Sequence, residues 1–117
     1  MVERSTILHE LGSLIEARKA ERPSGSYTTT LFDGGIDAIG AKVLEEAGEL
    51  VEAGRACDGQ APRGLEHKAV VHEAADLVYH LLVILAQCDV SLSEVEEELT
   101  RRSGTSGLEE KASRGMP

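Results

Sequence analysis

Five carboxylates are spaced so that they could work together: Glu45, Glu46 and Glu49 in one segment, Glu73 and Asp76 in another. At about 100° per residue on a helix, Glu49 lies roughly 40° and Glu46 roughly 100° around from Glu45. Glu46 and Glu49 thereby border the polar edge of an apolar stripe and face a neighbouring helix. Glu73 and Asp76 are three positions apart, on one helical face, among Ala74, Ala75, Leu77 and Val78. A row of acids on a helix is ordinarily a solvated face. Carboxylates inside an apolar run are different, because they are seldom buried unless paired or bound to metal. Two like charges about 4 Å apart repel by roughly 4 kcal/mol at an effective dielectric near 20. Several such pairs rival the roughly 5 to 15 kcal/mol total stability of a domain. A hard divalent cation removes the repulsion.

Ligation by oxygen alone, with no Cys and no paired His, predicts Mg²⁺, with Mn²⁺ as its substitute. Glu46, Glu49, Glu73 and Asp76 are the ligand candidates, while Glu45 is displaced around its helix. His72-Glu73-Ala74-Ala75-Asp76 has Asp where a zincin requires a second His, and no Glu-x-x-His pair of a di-iron bundle is present. The EF-hand loop and the P-loop are also absent. Mg²⁺ on carboxylates with open coordination positions is a means of binding polyphosphate and activating water. The reaction class predicted is phosphoanhydride hydrolysis on a small nucleotide.

Helices must position these groups. Ile7, Leu8, Leu11, Leu14 and Ile15 recur at helical spacing and predict a first helix from Ser5, its N-cap, to Arg18. Pro23, Gly25 and the hydroxyl-rich residues 26–30 predict a loop, and Asp33-Gly34-Gly35 a further turn. The stripe Ile36, Ile39, Val43, Ala47, Leu50 and Val51 predicts a second helix to Ala56. After a loop with Gly59, Pro62 and Gly64, a third helix begins near Glu66 and is apolar almost all round over residues 69–86, as a helix buried on most sides would be. Ser91 and Glu94 form a capping box for a fourth helix, with Val90 and Val95 as a hydrophobic staple. That helix ends about Arg102, with Gly104 suited to the C′ position.

The expected fold class is therefore all-α, with four main helices in a domain over residues 1–105 and a polar tail over 106–117. Four helices in one chain hardly cover a third helix that is apolar on all sides. A homodimer is predicted, in which the second and third helices of both copies build a common bundle. The 117 residues suit one domain, and 3% aromatics leave a core of Leu, Val, Ile and Ala. A net charge of −9 argues against nucleic acid as a partner. No apolar run approaches the roughly 18 to 20 residues of a membrane span, and no secretory signal is visible, so the expected location is cytoplasmic. Cys57 and Cys88 lack disulfide or metal spacing and read as reduced thiols.

The pattern Glu45-Glu46-Ala47-Gly48-Glu49 followed by Glu73-Ala74-Ala75-Asp76 resembles the E-E-x-x-E … E-x-x-D signature of the all-α MazG-like nucleotide pyrophosphohydrolases. Three further segments resemble the phosphoribosyl-ATP pyrophosphatase branch: Arg22-Pro23-Ser24-Gly25-Ser26-Tyr27-Thr28, residues 72–80, and Ser106-Gly107-Leu108-Glu109-Glu110-Lys111-Ala112-Ser113-Arg114. Ser24 stands where that family usually has Glu, and the loop over residues 54–68 is longer than usual. The resemblance implies hydrolysis of phosphoribosyl-ATP between the α and β phosphates, giving phosphoribosyl-AMP and pyrophosphate, the second step of histidine biosynthesis. It implies Glu46, Glu49, Glu73 and Asp76 as metal ligands, and Glu45 as a further ligand or as the base that orients water.

Around the acids, several residues carry two readings each. Lys42, four before Glu46, either pairs along the helix or contacts phosphate. Arg18, Arg22, Ser26, Tyr27 and Thr28 bind phosphate or ribose, or make an ordinary polar linker. His80 orients a ligand carboxylate or is a satisfied structural histidine. Lys111 and Arg114 close over substrate, or belong to a disordered tail. Two rival functions use the same acids: a house-cleaning pyrophosphohydrolase acting on deoxynucleoside triphosphates, and a non-enzymatic, metal-stabilised dimerisation module.

Overall fold

The computed structural model describes residues 6–104, which form four helices and, among the described residues, no strand. Helix α1 spans Ile7–Glu21, α2 Tyr27–Cys57, α3 Leu65–Gln87 and α4 Leu92–Ser103. The all-α expectation holds; the second copy of the predicted dimer is not part of this structure.

The N-cap of α1 is Thr6, not Ser5: its hydroxyl accepts from His9 N–H at 3.3 Å. The helix runs a turn beyond Arg18 and stops where Pro23 disfavours right-handed helix in the residue before it. Arg22 there is left-handed, with φ 48°, and its N–H closes on the Arg18 carbonyl at 2.8 Å.

The largest departure from expectation lies in α2. Residues 26–30 are not a loop: Ser26 is an N-cap, its Oγ accepting from Thr29 N–H at 3.4 Å, and the helix starts at Tyr27. The Asp33-Gly34-Gly35 signal marks a kink, at which Gly35 alone leaves helical angles, with φ 75° and ψ −168°. Burial explains the extra turns, since Leu31 and Phe32 sit in the core and fix the segment before the kink. At Gly34 a side chain would bring its Cβ within 2.6 Å of the Ala38 Cβ, so the bend also needs glycine there.

The core gathers Ile15 of α1, Leu31, Phe32 and Ile39 of α2, and Leu82, Val83 and Ala86 of α3. Lys19 ties α1 to the end of α3: its ammonium donates to the carbonyls of Ala86 at 2.8 Å and Gln87 at 3.4 Å, and pairs with Asp89 at 2.8 Å. A cation at a helix C-terminus satisfies carbonyls that the helix cannot. The predicted capping box of α4 is present, with Ser91 N–H donating to Glu94 Oε2 at 2.7 Å and Glu94 N–H to Ser91 Oγ at 3.2 Å. Gly104 serves as the C-cap at φ −95°, not as a left-handed C′ residue. Helix α4 buries no residue fully; Leu92 packs against the core and Glu96 pairs with His9 of α1 at 2.8 Å.

Helix α3 is long and apolar enough to cross a membrane by length and composition, which the short apolar runs of the sequence did not suggest. It packs on α2 and α1 and carries Glu73 and Asp76, as a core helix of a bundle would. Its buried residues are all in its second half, from His80 to Ala86; the all-round burial expected for it is not reached within one chain.

Candidate metal centre

Helices α2 and α3 pack along each other, and the register of that packing sets Glu46 and Glu49 against Glu73. Each offers a carboxylate oxygen, and the three oxygens lie within 4.8 Å of one another. Asp76 and Glu73 form a second such group with His72, whose Nε2 stands 3.4 Å from Asp76 Oδ2. The four expected ligands thus line one continuous patch. Glu45 falls outside both groups and pairs with Lys42 at 3.0 Å.

The electrostatics of the patch are unbalanced. Glu46 is 6% exposed, and its Oε2 is buried with no hydrogen-bond partner. Glu73 Oε2 is in the same state. Glu49 has its pKa raised, first by hydrogen bonding with Glu73 and then by desolvation, against a smaller lowering by Glu46. A carboxylate that takes up a proton to share with its neighbour is the response of crowded acids lacking a counter-charge. The nearest cation, Lys42, reaches Glu46 Oε1 only at 3.6 Å and bonds more closely to Glu45, which raises the lysine pKa. Buried carboxylate oxygens with no donor are costly. A divalent cation is the group that fits: the donors are hard oxygens, converging and otherwise unsatisfied.

Beside the acids, Tyr27 forms the rim. Its hydroxyl is 2.8 Å from His80 Nε2, and its pKa is raised mainly by desolvation, with Lys42 opposing. His80 is buried and its Nδ1 lies 2.8 Å from the Asp76 carbonyl oxygen. That carbonyl can only accept, so Nδ1 carries the proton and, in the neutral ring, Nε2 accepts from Tyr27. The bonds of His80 are to a backbone carbonyl and a phenol, not to the Asp76 carboxylate. Tyr79 completes the corner: it stacks with Tyr27 at 6.4 Å between ring centres and hydrogen-bonds Thr28.

The remaining expected contacts are dispersed. Thr28 is buried and committed to Tyr79, and Ser26 is committed as a helix cap. Arg22 bonds to Asp33 at 3.1 Å and to the Lys19 carbonyl at 3.2 Å. Arg18 is half-buried on α1. Lys111 and Arg114 lie outside the described residues. Two neighbours of the acids had gone unassigned, His72 and Tyr79. The i,i+4 spacing of His72 to Asp76 was a visible signal for the first; Tyr79 meets Thr28 only through the packing of two helices.

Residues 8–103 match the family model described as phosphoribosyl-ATP pyrophosphohydrolase. The chain belongs to that family. A phosphoribosyl-ATP pyrophosphatase of Rhodopirellula baltica is 49% identical over 97% of this chain and 91% of its own length. A second, from Geobacter sulfurreducens, is 45% identical over 97% of this chain and 98% of its own. The histidine biosynthesis bifunctional protein HisIE of Helicobacter hepaticus is 45% identical over 92% of this chain, which matches 43% of that protein. Within this pyrophosphohydrolase family, then, the same unit occurs both as nearly a whole protein and as part of a larger one.

Proposed function

We propose that this chain hydrolyses phosphoribosyl-ATP to phosphoribosyl-AMP and pyrophosphate, the second step of histidine biosynthesis, with Mg²⁺ held by Glu46, Glu49, Glu73 and Asp76. The observation that carries the metal is the buried, partnerless Oε2 of Glu46 among the oxygens of Glu49 and Glu73. The relatives named as phosphoribosyl-ATP pyrophosphatases, nearly co-extensive with the chain, support the substrate. They also favour it over deoxynucleoside triphosphates and over a module with no activity.

When bound, the cation neutralises phosphoryl oxygens and lowers the pKa of water. The protein supplies the rest. Lys42, 3.6 Å from Glu46, offers positive charge at the edge of the acids for a polyphosphate that would otherwise be repelled. Glu45, more exposed and outside the carboxylate group, takes the proton of the attacking water. Tyr27, held by His80 and half exposed, presents a ring face and a fixed hydroxyl to the nucleoside. Arg18, Arg22, Ser26 and Thr28 hold the turn from which Tyr27 projects, and Lys111 and Arg114 approach substrate from the tail.

The protein works in the cytoplasm as a homodimer. The large apolar exposure of Leu44 at 75% and Val71 at 59%, on the half of the α2–α3 pair away from the core, supports a second copy there. Light scattering at micromolar concentration should give twice the chain mass; the monomer mass would refute the dimer. The activity is tested by offering phosphoribosyl-ATP and a panel of deoxynucleoside triphosphates with Mg²⁺ and measuring pyrophosphate. Release from phosphoribosyl-ATP alone is expected. Preference for a deoxynucleotide would overturn the substrate.

A further inference from the structure

Tyr27 is the first residue of α2, and its side chain is held by its ring and by its hydroxyl. The ring stacks on Tyr79 at 6.4 Å between centres and stands at 90° to His80, 5.9 Å away. The hydroxyl is 2.8 Å from His80 Nε2. Tyr79 is in turn hydrogen-bonded to Thr28, the next residue of α2, so the whole corner is braced across the two helices.

The direction of the hydroxyl bond follows from the other side of the imidazole. His80 Nδ1 lies 2.8 Å from the Asp76 carbonyl oxygen, which can only accept, so Nδ1 carries the ring proton. Nε2 is left as an acceptor and takes the phenol proton. The Tyr27 oxygen therefore has no proton to offer outward. Half of Tyr27 is exposed, and toward a ligand its oxygen acts as an acceptor. Tyr79 offers no substitute, because its own hydroxyl is engaged by Thr28.

Lys42 and the carboxylates of Glu45 and Glu46 all act electrostatically on the Tyr27 hydroxyl, so it stands beside the acids. In a nucleotide whose phosphates lie against a cation at those acids, the group next to the phosphates is the ribose. A ribose hydroxyl donates, and a fixed acceptor selects it over a hydrogen atom on the same carbon.

We propose that His80 is a positioning residue for nucleotide binding: by taking the phenol proton it fixes Tyr27 as an acceptor for a ribose hydroxyl, and the pair favours ribonucleotides over deoxyribonucleotides. The proposal rests on the reading that the acids between α2 and α3 bind a nucleotide polyphosphate through a divalent cation. The imidazole itself is buried and does not touch the nucleotide. It acts through the tyrosine.

The test uses the purified full chain with Mg²⁺ and follows phosphoribosyl-AMP formed from phosphoribosyl-ATP, with ATP, 2′-deoxy-ATP or 3′-deoxy-ATP as competitor. ATP should inhibit more strongly than one of the deoxy analogues by about 3- to 10-fold, the range of a single neutral hydrogen bond. Tyr27→Phe keeps the ring and removes the acceptor, and ATP and both analogues should then inhibit alike. His80→Leu releases the phenol proton and should diminish the preference, whereas His80→Gln, whose amide oxygen takes the same proton, should keep it. A merely structural loss would weaken all three competitors equally and leave their ratio unchanged. The other two variants decide the matter if His80→Leu does not fold. Equal inhibition by the three nucleotides in wild type, an undiminished ratio in Tyr27→Phe or His80→Leu, or a lost ratio in His80→Gln would overturn the proposal, while turnover of phosphoribosyl-ATP would leave the proposed function standing. Absence of both turnover and inhibition would overturn the nucleotide reading itself.

Discussion

The two halves of α3 are in opposite states. Between His80 and Ala86 the helix buries His80, Leu82, Val83 and Ala86, its carbonyl end is capped by Lys19, and the buried imidazole has partners on both nitrogens. From Leu65 to Asp76 the same helix exposes Leu65 and Val71 and carries a carboxylate oxygen with no donor. One half carries the buried core; the other has unmet requirements of two kinds, for charge and for apolar cover. The finished half holds the geometry of the unfinished one, since His80 joins the rim residue Tyr27 to the backbone at Asp76. Local incompleteness beside a rigid support is the usual condition of a site that binds something.

The largest effect should come from neutralising the unfinished half. Glu73→Gln removes the charge of the residue shared by both donor groups, and kcat should fall on the order of 100- to 1000-fold in a pyrophosphate-release assay. The same variant, freed of metal with a chelator, should melt higher than wild type by a few degrees, on the order of 1 kcal/mol, because like charges no longer crowd Glu46 and Glu49. Activity and stability then move in opposite directions. Retained turnover, or a lower melting temperature, would remove the contrast between the halves.

Next come truncations on either side of the boundary. Ile39 is fully buried, and Ile39→Ala should lose about 2 to 5 kcal/mol in urea titrations, whatever the protein concentration. Leu44 and Val51 are 75% and 52% exposed in one chain, where surface changes cost within about 0.5 kcal/mol. In the proposed homodimer the double change Leu44→Ala with Val51→Ala should cost more, and increasingly so on dilution, with the light-scattering mass shifting toward the monomer. Concentration-independent behaviour in both variants would show the face to be ordinary surface.

The kink lies in α2, the helix that packs along α3. Gly35 holds φ 75° and ψ −168°, a region open almost only to glycine, so Gly35→Ala should cost about 1 to 3 kcal/mol by thermal melting. No atom lies within 4 Å of the added Cβ, which makes the cost one of backbone alone. Gly40→Ala, in regular helix with equally open surroundings, should gain about 0.5 to 1 kcal/mol. Equal effects at the two glycines would mean that the kink is not required.

These contrasts also mark where sequence reasoning succeeded. The capping box at Ser91 and Glu94 was legible because its bonds span three residues. The spacing of Glu46, Glu49, Glu73 and Asp76 was legible within each helix for the same reason. Which acids meet across helices was not, because that depends on the register of α2 on α3. Residues 26–30 were misread because Gly25 and Asp33-Gly34-Gly35 are loop signals locally, while the burial of Leu31 and Phe32 that keeps the segment helical is tertiary. Lys19 capping a helix end 67 residues later is beyond any local pattern.

The smallest expected effect concerns two glutamates whose pKa values move in opposite directions. Glu49, on α2 against the unfinished half, is raised above the ordinary 4.5, chiefly by hydrogen bonding with Glu73 and then by desolvation. Glu98, on α4, is lowered below 4.5, chiefly by a hydrogen bond from Arg101 at 2.6 Å. A raised folded-state pKa means that the folded chain holds the proton more tightly than the unfolded chain. The contribution of Glu49 is therefore fully present below 4.5 and is lost as pH rises through the raised value. Glu98 has the reverse sign: its contribution is present above 4.5 and is lost as pH falls through the lowered value. Melting curves in chelator should show the advantage of wild type over Glu49→Gln shrinking as pH rises, and its advantage over Glu98→Gln growing. Saturating Mg²⁺ should abolish or reverse the first trend, since a cation stabilises the ionised carboxylate, and leave the second changed only by salt screening. If Mg²⁺ altered both trends alike, the cation would be acting through general ionic strength and not at the acids between α2 and α3.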